Sequence, residues 1–308
     1  MSLKLLTKEA PTVWKVLDGI ICVYKPADVS CHNVLNTIAH KITSEMNEMN
    51  CRPPIEYVSI EGDTSKHLSV VRKPSLADHP LVVGPRYQMD DIRCTWSSFL
   101  GYNTSGVLLL GLQGGTKTAF RIRMNQLMRA YRIKGIFGRA TDNYYKDGKV
   151  VEKTTCGFIK SHNLHKLLAS MQASHQRKMF ELCGVDLQSQ MAYDLAIQGP
   201  IRPSSSKLPV VYGIKCVHFD MPEFTLEIHC INEYEMYLKS IIHEIGIKLH
   251  STANCTGIQC IRHSYFNLDN ALLRRHWTLQ HIISNLDECN TIIKKHQNLL
   301  WQESAALQ

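Results

Sequence analysis

The sequence predicts an α+β fold in which a mixed, mostly antiparallel sheet is flanked by helices. Apolar segments with strand and helix periodicities are interspersed along the chain, and they lack the regular alternation that builds a parallel sheet from β-α-β units. The 308 residues, 44% of them apolar, suffice for one substantial core. The sequence contains neither an internal repeat nor a low-complexity tract.

Short apolar runs predict strands, and apolar residues at helical spacing predict helices. The first strand, Gly19 to Tyr24, ends at Lys25-Pro26 because proline cannot donate to a ladder. Ser30 is predicted to cap the next helix. Further strands are predicted at 106–112, 131–137, 150–151, 210–219, 224–230 and 256–262. Further helices are predicted from residue 116, at 164–171, at 191–196 until Gly199-Pro200, at 237–249 and in two short stretches near the end.

The predicted helix from residue 116 has two distinct sides, with Phe120, Met124 and Leu127 on one and basic residues on the other. Farther along, Asp147-Gly148 is typical of a hairpin turn, so the strands at 131–137 and 150–151 are predicted to pair.

These elements predict one domain, with an irregular insertion at about 43–78 that is rich in turn residues. A helical tail follows at 286–308. The segment 1–17 contains three lysines and no arginine, which indicates organelle targeting only weakly. Because no apolar run reaches the roughly 20 residues that span a bilayer, the sequence predicts no membrane span and a soluble intracellular protein.

The eleven cysteines contain no CxxC pair and are predicted to be reduced thiols, mostly buried. Cys255 and Cys260 lie near His263, but a second pair of metal ligands is missing there, so core packing is the favoured interpretation. We therefore expect no metal at these residues.

The formal net charge of +8 suits a polyanionic partner or an acidic membrane surface, and a role in solubility alone is the alternative interpretation. Its distribution is more informative, because the fifty residues from Ile92 to Thr141 contain no acid and eight basic residues. Together with Tyr102 and Tyr131, this composition favours a surface that neutralises phosphates and stacks unpaired bases, and we predict contact with RNA. A solvated helix face followed by a solvated strand is the alternative interpretation. The basic residues are Arg93, Lys117, Arg121, Arg123, Arg129, Arg132, Lys134 and Arg139.

Several segments agree in order and spacing with one known family. They are Asp18 to Ser30, Thr104-Ser105-Gly106-Val107-Leu108, Arg129-Ala130-Tyr131-Arg132 with Gly138 to Gly148, Tyr193 to Gly199 and Ile241 to Gly246. Over about residues 18–285 the chain resembles the TruB family of RNA pseudouridine synthases, with the strongest likeness to its animal mitochondrial members. Asp28 stands where the family has a glycine, a mild change because aspartate tolerates a left-handed backbone.

The resemblance implies the pseudouridine synthase catalytic-domain fold and a reaction that needs no cofactor. Family members flip a uridine out of folded RNA, break its bond to ribose, rotate the base and rejoin it through carbon. The implied partner is structured, uridine-containing RNA such as transfer, messenger or ribosomal RNA, with mitochondrial RNA-processing proteins as further candidates. The implied location is the mitochondrial matrix, and the cytoplasm and nucleus stay open. The tail is too short for the C-terminal RNA-binding module of bacterial members.

Site residues follow from the resemblance position by position. The base-holding tyrosine falls on Tyr131, for which a packed core aromatic is the alternative interpretation. The nucleophilic aspartate falls on Gly101, its pairing arginine falls on Lys239, and the family's histidine falls within 96–98, where the chain has none. The predicted substrate-binding residues are Tyr131, Lys25, Arg129, Arg132, Arg139, Lys117 and Arg121.

The glycine at position 101 leaves two hypotheses about catalysis. In the first, the chain binds RNA with lost or reduced catalysis, and Lys239 keeps its charge in a site with no carboxylate to hold. In the second, the chain is an active RNA pseudouridine synthase that uses a displaced carboxylate. The acids nearest in sequence, Asp90, Asp91 and Asp142, are poor substitutes because a nucleophile must lie about 3 Å from its carbon.

Overall fold

The computed structural model describes residues 8–51, 56–63, 65, 67–75, 80–197 and 208–300. The helices are α1 Ala10–Val16, α2 Cys31–Asn47, α3 Pro80–Val83, α4 Gly115–Met124, α5 Ser161–Leu182, α6 Gln190–Ile197, α7 Glu235–Lys248 and α8 Leu279–Lys295. The strands are β1 Gly19–Lys25, β2 Glu56–Glu61, β3 Ser69–Pro74, β4 Cys94–Trp96, β5 Thr104–Leu112, β6 Arg129–Phe137, β7 Arg139–Thr141, β8 Val150–Lys153, β9 Val210–Asp220, β10 Glu223–Ile231, β11 Ala253–His263 and β12 Phe266–Asn267.

One sheet organises these elements, with the strand order β1-β5-β11-β6-β10-β9. Strand β4 pairs with β5 and β12 pairs with β11. Along this sheet β5 and β11 run parallel, and the other strand pairs are antiparallel. The predicted α+β class with a mixed, mostly antiparallel sheet is confirmed.

Helices cover the sheet along its length. Helix α4 packs on β1 and β5, α8 on β1, α7 on β11 and β6, and α5 on β9. The middle of β1 and nearly all of β5 are buried, which is why both are near-continuous apolar runs. The core therefore lies between the sheet and these helices.

The beginning of the chain follows its local sequence closely. Ser30 accepts a hydrogen bond from the backbone N–H of Asn33 at 3.1 Å and caps α2 as predicted. Asp28 has φ 61°, the left-handed conformation expected for the position that is glycine in the family. The apolar residues of α2 that define its helical spacing are buried.

Two predictions about local structure are wrong. The segment at 43–78 is not irregular throughout, because α2 continues to Asn47 and β2 and β3 form an exposed hairpin. Strand β8 pairs with β7 rather than with β6, because Gly138, at φ 94°, ends β6 and lets the chain change direction.

The buried face of α4 also differs from the expectation. Phe120 and Met124 are exposed, whereas Gly115, Ala119 and Ile122 are buried. The reason is the close approach of α4 to β5, since a β-carbon on Gly111 would lie 2.9 Å from that of Ala119. Only small residues fit at such a contact, and the large apolar residues are turned outward.

All eleven cysteines are reduced thiols, and six of them, including Cys255 and Cys260, are buried. Among the described residues, no helix is long and apolar enough to cross a membrane. The predicted helix stop at Gly199-Pro200, residues 1–7 of the first segment and residues 301–308 of the tail lie outside the described residues.

Candidate active site

A cleft of about 270 Å³ opens where the segment before β5, the start of β6, the start of α7 and the end of β11 meet. Its lining includes Gly101, Arg129 and Tyr131, three of the positions that the sequence singled out. It also includes Glu233, Glu235 and His263. The fold thus assembles the predicted nucleophile position and the predicted base-holding tyrosine in one place.

Tyr131 is held from its hydroxyl end. The side chain is 2% exposed, and the hydroxyl donates to Glu233 Oε1 at 2.7 Å. Arg129 Nε lies 2.5 Å from the same carboxylate oxygen, and Arg129 Nη1 donates to the Phe99 carbonyl at 3.2 Å. Burial raises the pKa of the Tyr131 phenol well above its ordinary value, so the phenol stays protonated as a donor.

The side chain of Glu235 occupies the space beside the Gly101 α-carbon. A β-carbon built on Gly101 would lie 2.5 Å from Cδ of Glu235, 2.6 Å from its Cβ and closer still to Oε2. The φ of Gly101 lies outside the left-handed region. The backbone would therefore tolerate a side chain at 101, and the Glu235 carboxylate is what excludes one.

The Glu235 carboxylate is fixed by three donors. Oε2 accepts from the Thr104 backbone N–H at 3.1 Å and from the Thr104 hydroxyl at 2.8 Å. Oε1 lies 2.8 Å from Lys239 Nζ, one helical turn farther along α7. The carboxylate sits at the first residue of the helix, where the helix dipole favours a negative charge.

Lys239 is almost completely enclosed by its partners. Besides Glu235, Nζ donates to Asn103 Oδ1 at 2.8 Å and lies 4.6 Å from the centroid of the Tyr145 ring. Lys239 is 5% exposed. The expectation that Lys239 has no carboxylate to hold is wrong, because Glu235 supplies one from the same helix.

Lys25 lies deeper than a substrate contact would require. It is 0% exposed, and Nζ donates to the carbonyls of Pro26, Tyr102 and Thr104 at 3.0, 3.2 and 2.6 Å. Asp28 N–H donates to the Tyr102 carbonyl at 2.9 Å. These contacts tie the loop that carries Gly101 to the end of β1, and they use the Lys25 ammonium for that purpose.

His263 lines the cleft and lies opposite Arg129 in the pairing of β11 with β6. Its Nδ1 lies 3.5 Å from Ser98 Oγ, within the segment where the family's histidine was expected and is missing. Burial and the nearby Arg129 guanidinium lower the pKa of His263 to about 3, so the ring is neutral at physiological pH.

Four more of the predicted substrate-binding residues, Lys117, Arg121, Arg132 and Arg139, do not line the cleft. Lys117 and Arg121 are exposed on α4, and Arg123 of the same helix does line the cleft. Arg132 is exposed and, because side chains alternate along a strand, lies on the opposite face of β6 from Tyr131. Arg139 is half-buried. Their assignment to substrate binding stays a prediction.

Sequence reasoning missed Glu233, Glu235 and His263, which are far from Gly101 in the chain. A local signal for Glu235 did exist, since a glutamate four residues before a lysine on a helix is the favourable orientation of an ion pair. Asp90 and Asp91 are exposed within the Met89–Asp91 turn, and Asp142 accepts from the Lys149 N–H in a turn. None of the three lines the cleft.

The chain belongs to the TruB family of pseudouridylate synthases. Residues 93–236 match the model described as "TruB family pseudouridylate synthase (N terminal domain)". The chain is 39% identical over 287 residues to "Pseudouridylate synthase TRUB2, mitochondrial" of Xenopus tropicalis, which covers 91% of this chain and 88% of the relative. The protein of the same name from Homo sapiens is 34% identical over 273 residues, which cover 86% and 82% of the two chains.

Among solved structures, the chain is similar to one described as "Crystal structure of the archaeal box H/ACA sRNP Nop10-Cbf5 complex". The identity is 13%, the TM-score is 0.47, and the match covers 90% of this chain and 60% of that one.

Proposed function

We propose that this chain binds folded, uridine-containing RNA in the mitochondrion and that its conversion of uridine to pseudouridine is lost or reduced. The proposal of lost or reduced catalysis rests on position 101. The family resemblance assigns the nucleophile to this position, and here it is a glycine beside the base-holding Tyr131. Removing a covalent nucleophile lowers turnover by roughly four to six orders of magnitude.

Binding of RNA is supported by the surface beside the cleft. Lys117, Arg121 and Arg123 lie along α4, and we call them the α4 basic surface. The exposed side chains of Phe120 and Met124 lie on the same helix. Cations that neutralise phosphates and apolar groups that contact unstacked bases are the combination that single-stranded RNA requires.

A mitochondrial location is supported by the relatives. The Xenopus tropicalis and Homo sapiens proteins carry that location in their names and match this chain over most of its length. Imaging of the full chain with a C-terminal tag tests this part of the proposal, and an exclusively nuclear or cytosolic signal would contradict it.

Binding is tested by gel shift of a pool of mitochondrial RNAs transcribed in vitro. Since each neutralised phosphate releases counterions, we expect affinity to fall about tenfold or more between roughly 50 and 200 mM salt. Replacing Lys117 and Arg121 by glutamine should weaken binding and flatten this salt dependence. Lys166→Gln with Lys178→Gln is the matched control, because α5 packs on β9 at the far edge of the sheet.

The catalytic part is tested on the same RNA pool by chemical mapping of pseudouridine. We expect that the protein binds RNA and that pseudouridine in this RNA forms slowly or not at all. Salt-insensitive or absent binding would contradict RNA recognition. Rapid, stoichiometric pseudouridine over many turnovers would contradict lost or reduced catalysis.

A further inference from the structure

We propose that Glu235 is the displaced carboxylate of this site and acts as the nucleophile of a slow uridine isomerisation. The proposal rests on RNA binding in the cleft and adds a catalytic residue on α7 to it. Glu235 reaches the 101 position from a different element and across 134 positions of the chain, so sequence spacing alone could not assign it.

The first argument is the position of the carboxylate. The carboxyl oxygens of an aspartate stand roughly 2.4 Å from its own β-carbon. Oε2 of Glu235 lies within this radius of the β-carbon position of residue 101, and Cδ lies 2.5 Å from it. The Glu235 carboxylate therefore lies in the space that a side chain at 101 would enter, attached to α7 instead of the loop.

The second argument is the hydrogen bonding of the loop. An aspartate can accept from the backbone N–H three residues later, and the residue three positions after Gly101 is Thr104. The Thr104 N–H donates to Oε2 of Glu235 at 3.1 Å. Glu235 thus makes a bond that the aspartate could make, and the cation at the arginine position, Lys239, pairs with its other oxygen.

The third argument is access. A carboxylate has about four acceptor positions, of which Thr104 uses two and Lys239 one, so Oε1 keeps one for another group. The Glu235 side chain is 15% exposed, and it lines the same cleft as Tyr131. A buried structural ion pair without contact to the cleft would lack both properties.

The reaction proceeds without a net change in atoms or electrons. Oε1 of Glu235 attacks C1′ of the flipped uridine, and the N1–C1′ bond breaks with its electron pair on the base. The uracil anion rotates against Tyr131, and C5 attacks C1′, which releases the carboxylate. C5 then loses its proton to water, and N1 takes one from water. Lys239 acts as a positioning residue that holds Glu235 Oε1 through its 2.8 Å ion pair.

The test is single-turnover pseudouridine formation on the mitochondrial RNA pool, with protein in excess over RNA. Wild type should form pseudouridine slowly, and Glu235→Gln should lower the rate constant by about 100-fold or more while RNA affinity changes little. Glu244→Gln is the matched control, because Glu244 makes the same kind of ion pair with Lys248 on the exposed side of α7. We expect it to leave the rate constant unchanged.

A second variant keeps the proposal testable if Glu235→Gln folds poorly. Gly101→Asp with Glu235→Ala moves the carboxylate from the helix to the loop, and we expect at least the wild-type rate constant from it. Melting curves establish that each variant is folded.

Three outcomes overturn the proposal. In the first, Glu235→Gln forms pseudouridine as fast as wild type does. In the second, RNA binds to wild type but no pseudouridine forms in a single turnover. In the third, RNA does not bind at all. The second outcome leaves the proposed function standing. The third contradicts the proposed function as well.

Discussion

The Tyr131 hydroxyl and the Glu233 carboxylate are 2.7 Å apart, so the aromatic ring of the cleft is oriented by a bond at its far end. Tyr131→Phe removes this bond but keeps the ring. We expect it to lower the free energy of unfolding by about 1–2 kcal/mol, measured by urea denaturation, and to change RNA affinity little.

Tyr131→Leu is the companion variant, since it removes the ring as well. Loss of one base-stacking contact should weaken RNA binding by about 1–3 kcal/mol in the gel shift. Equal losses of affinity for the two variants would show that the ring is not the contact.

Gly101→Ala should be destabilising although alanine is small. The new β-carbon would meet the Glu235 side chain, and displacing that side chain also disturbs its bonds to Thr104 and Lys239. We expect a loss of about 1–3 kcal/mol in urea denaturation. In a Glu235→Ala background the same substitution should cost much less. Additive effects in this double-mutant cycle would contradict direct contact between the two positions.

Lys25→Met should destabilise the loop that carries Gly101. Methionine fits a similar volume but leaves three carbonyls without the ammonium that they share. We expect a loss of about 3 kcal/mol in the free energy of unfolding, since bonds to a charged group are stronger than neutral ones. Lys15→Met is the control, because Lys15 is exposed at the end of α1. A near-neutral Lys25→Met would mean that water replaces the ammonium.

Because His263 is buried and neutral, we expect the free energy of unfolding to fall at acidic pH. The pKa of the histidine is about 3 in the folded protein and 6.5 when unperturbed, so the unfolded chain binds the proton more readily. The contribution of His263 is fully present above pH 6.5 and is lost as pH falls from 6.5 towards 3, by up to about 1.4 kcal/mol per pH unit.

The measurement is urea denaturation of wild type and His263→Gln at several pH values. The advantage of wild type over the variant should shrink by about 2–3 kcal/mol between pH 6.5 and pH 4.5. Parallel stability curves would show that His263 binds a proton as readily in the folded protein as in the unfolded chain.

Local physics accounts for much of the fold. The apolar run of β1 and the capping Ser30 are short-range features, and both were predicted. The helical spacing at 237–249 predicted α7, whose residues Leu238, Ile241, Ile242 and Ile245 are buried. The buried face of α4 was not predictable in this way, because packing distance rather than hydrophobicity decides that Ala119 is buried and Phe120 is exposed.

The candidate site also has parts that the sequence could predict and parts that it could not. Tyr131 and the missing side chain at 101 could be found from motif positions, because those positions are contiguous in sequence. Glu235 could not, since its approach to Gly101 depends on how the start of α7 meets the loop before β5. A search for acids near Gly101 in sequence considers Asp90 and Asp142 and misses the carboxylate that is near it in space.

The Glu235 side chain occupies the space that a side chain at position 101 would need, and this leads to a prediction about related sequences. Because a side chain at 101 and this placement of Glu235 exclude each other, the two positions should change together during evolution. Relatives with aspartate at the first position should carry a residue other than glutamate at the second, and glutamate there should coincide with glycine at the first. An intermediate with both acids would bear two clashing negative charges, so the order of substitutions should run through a form with neither.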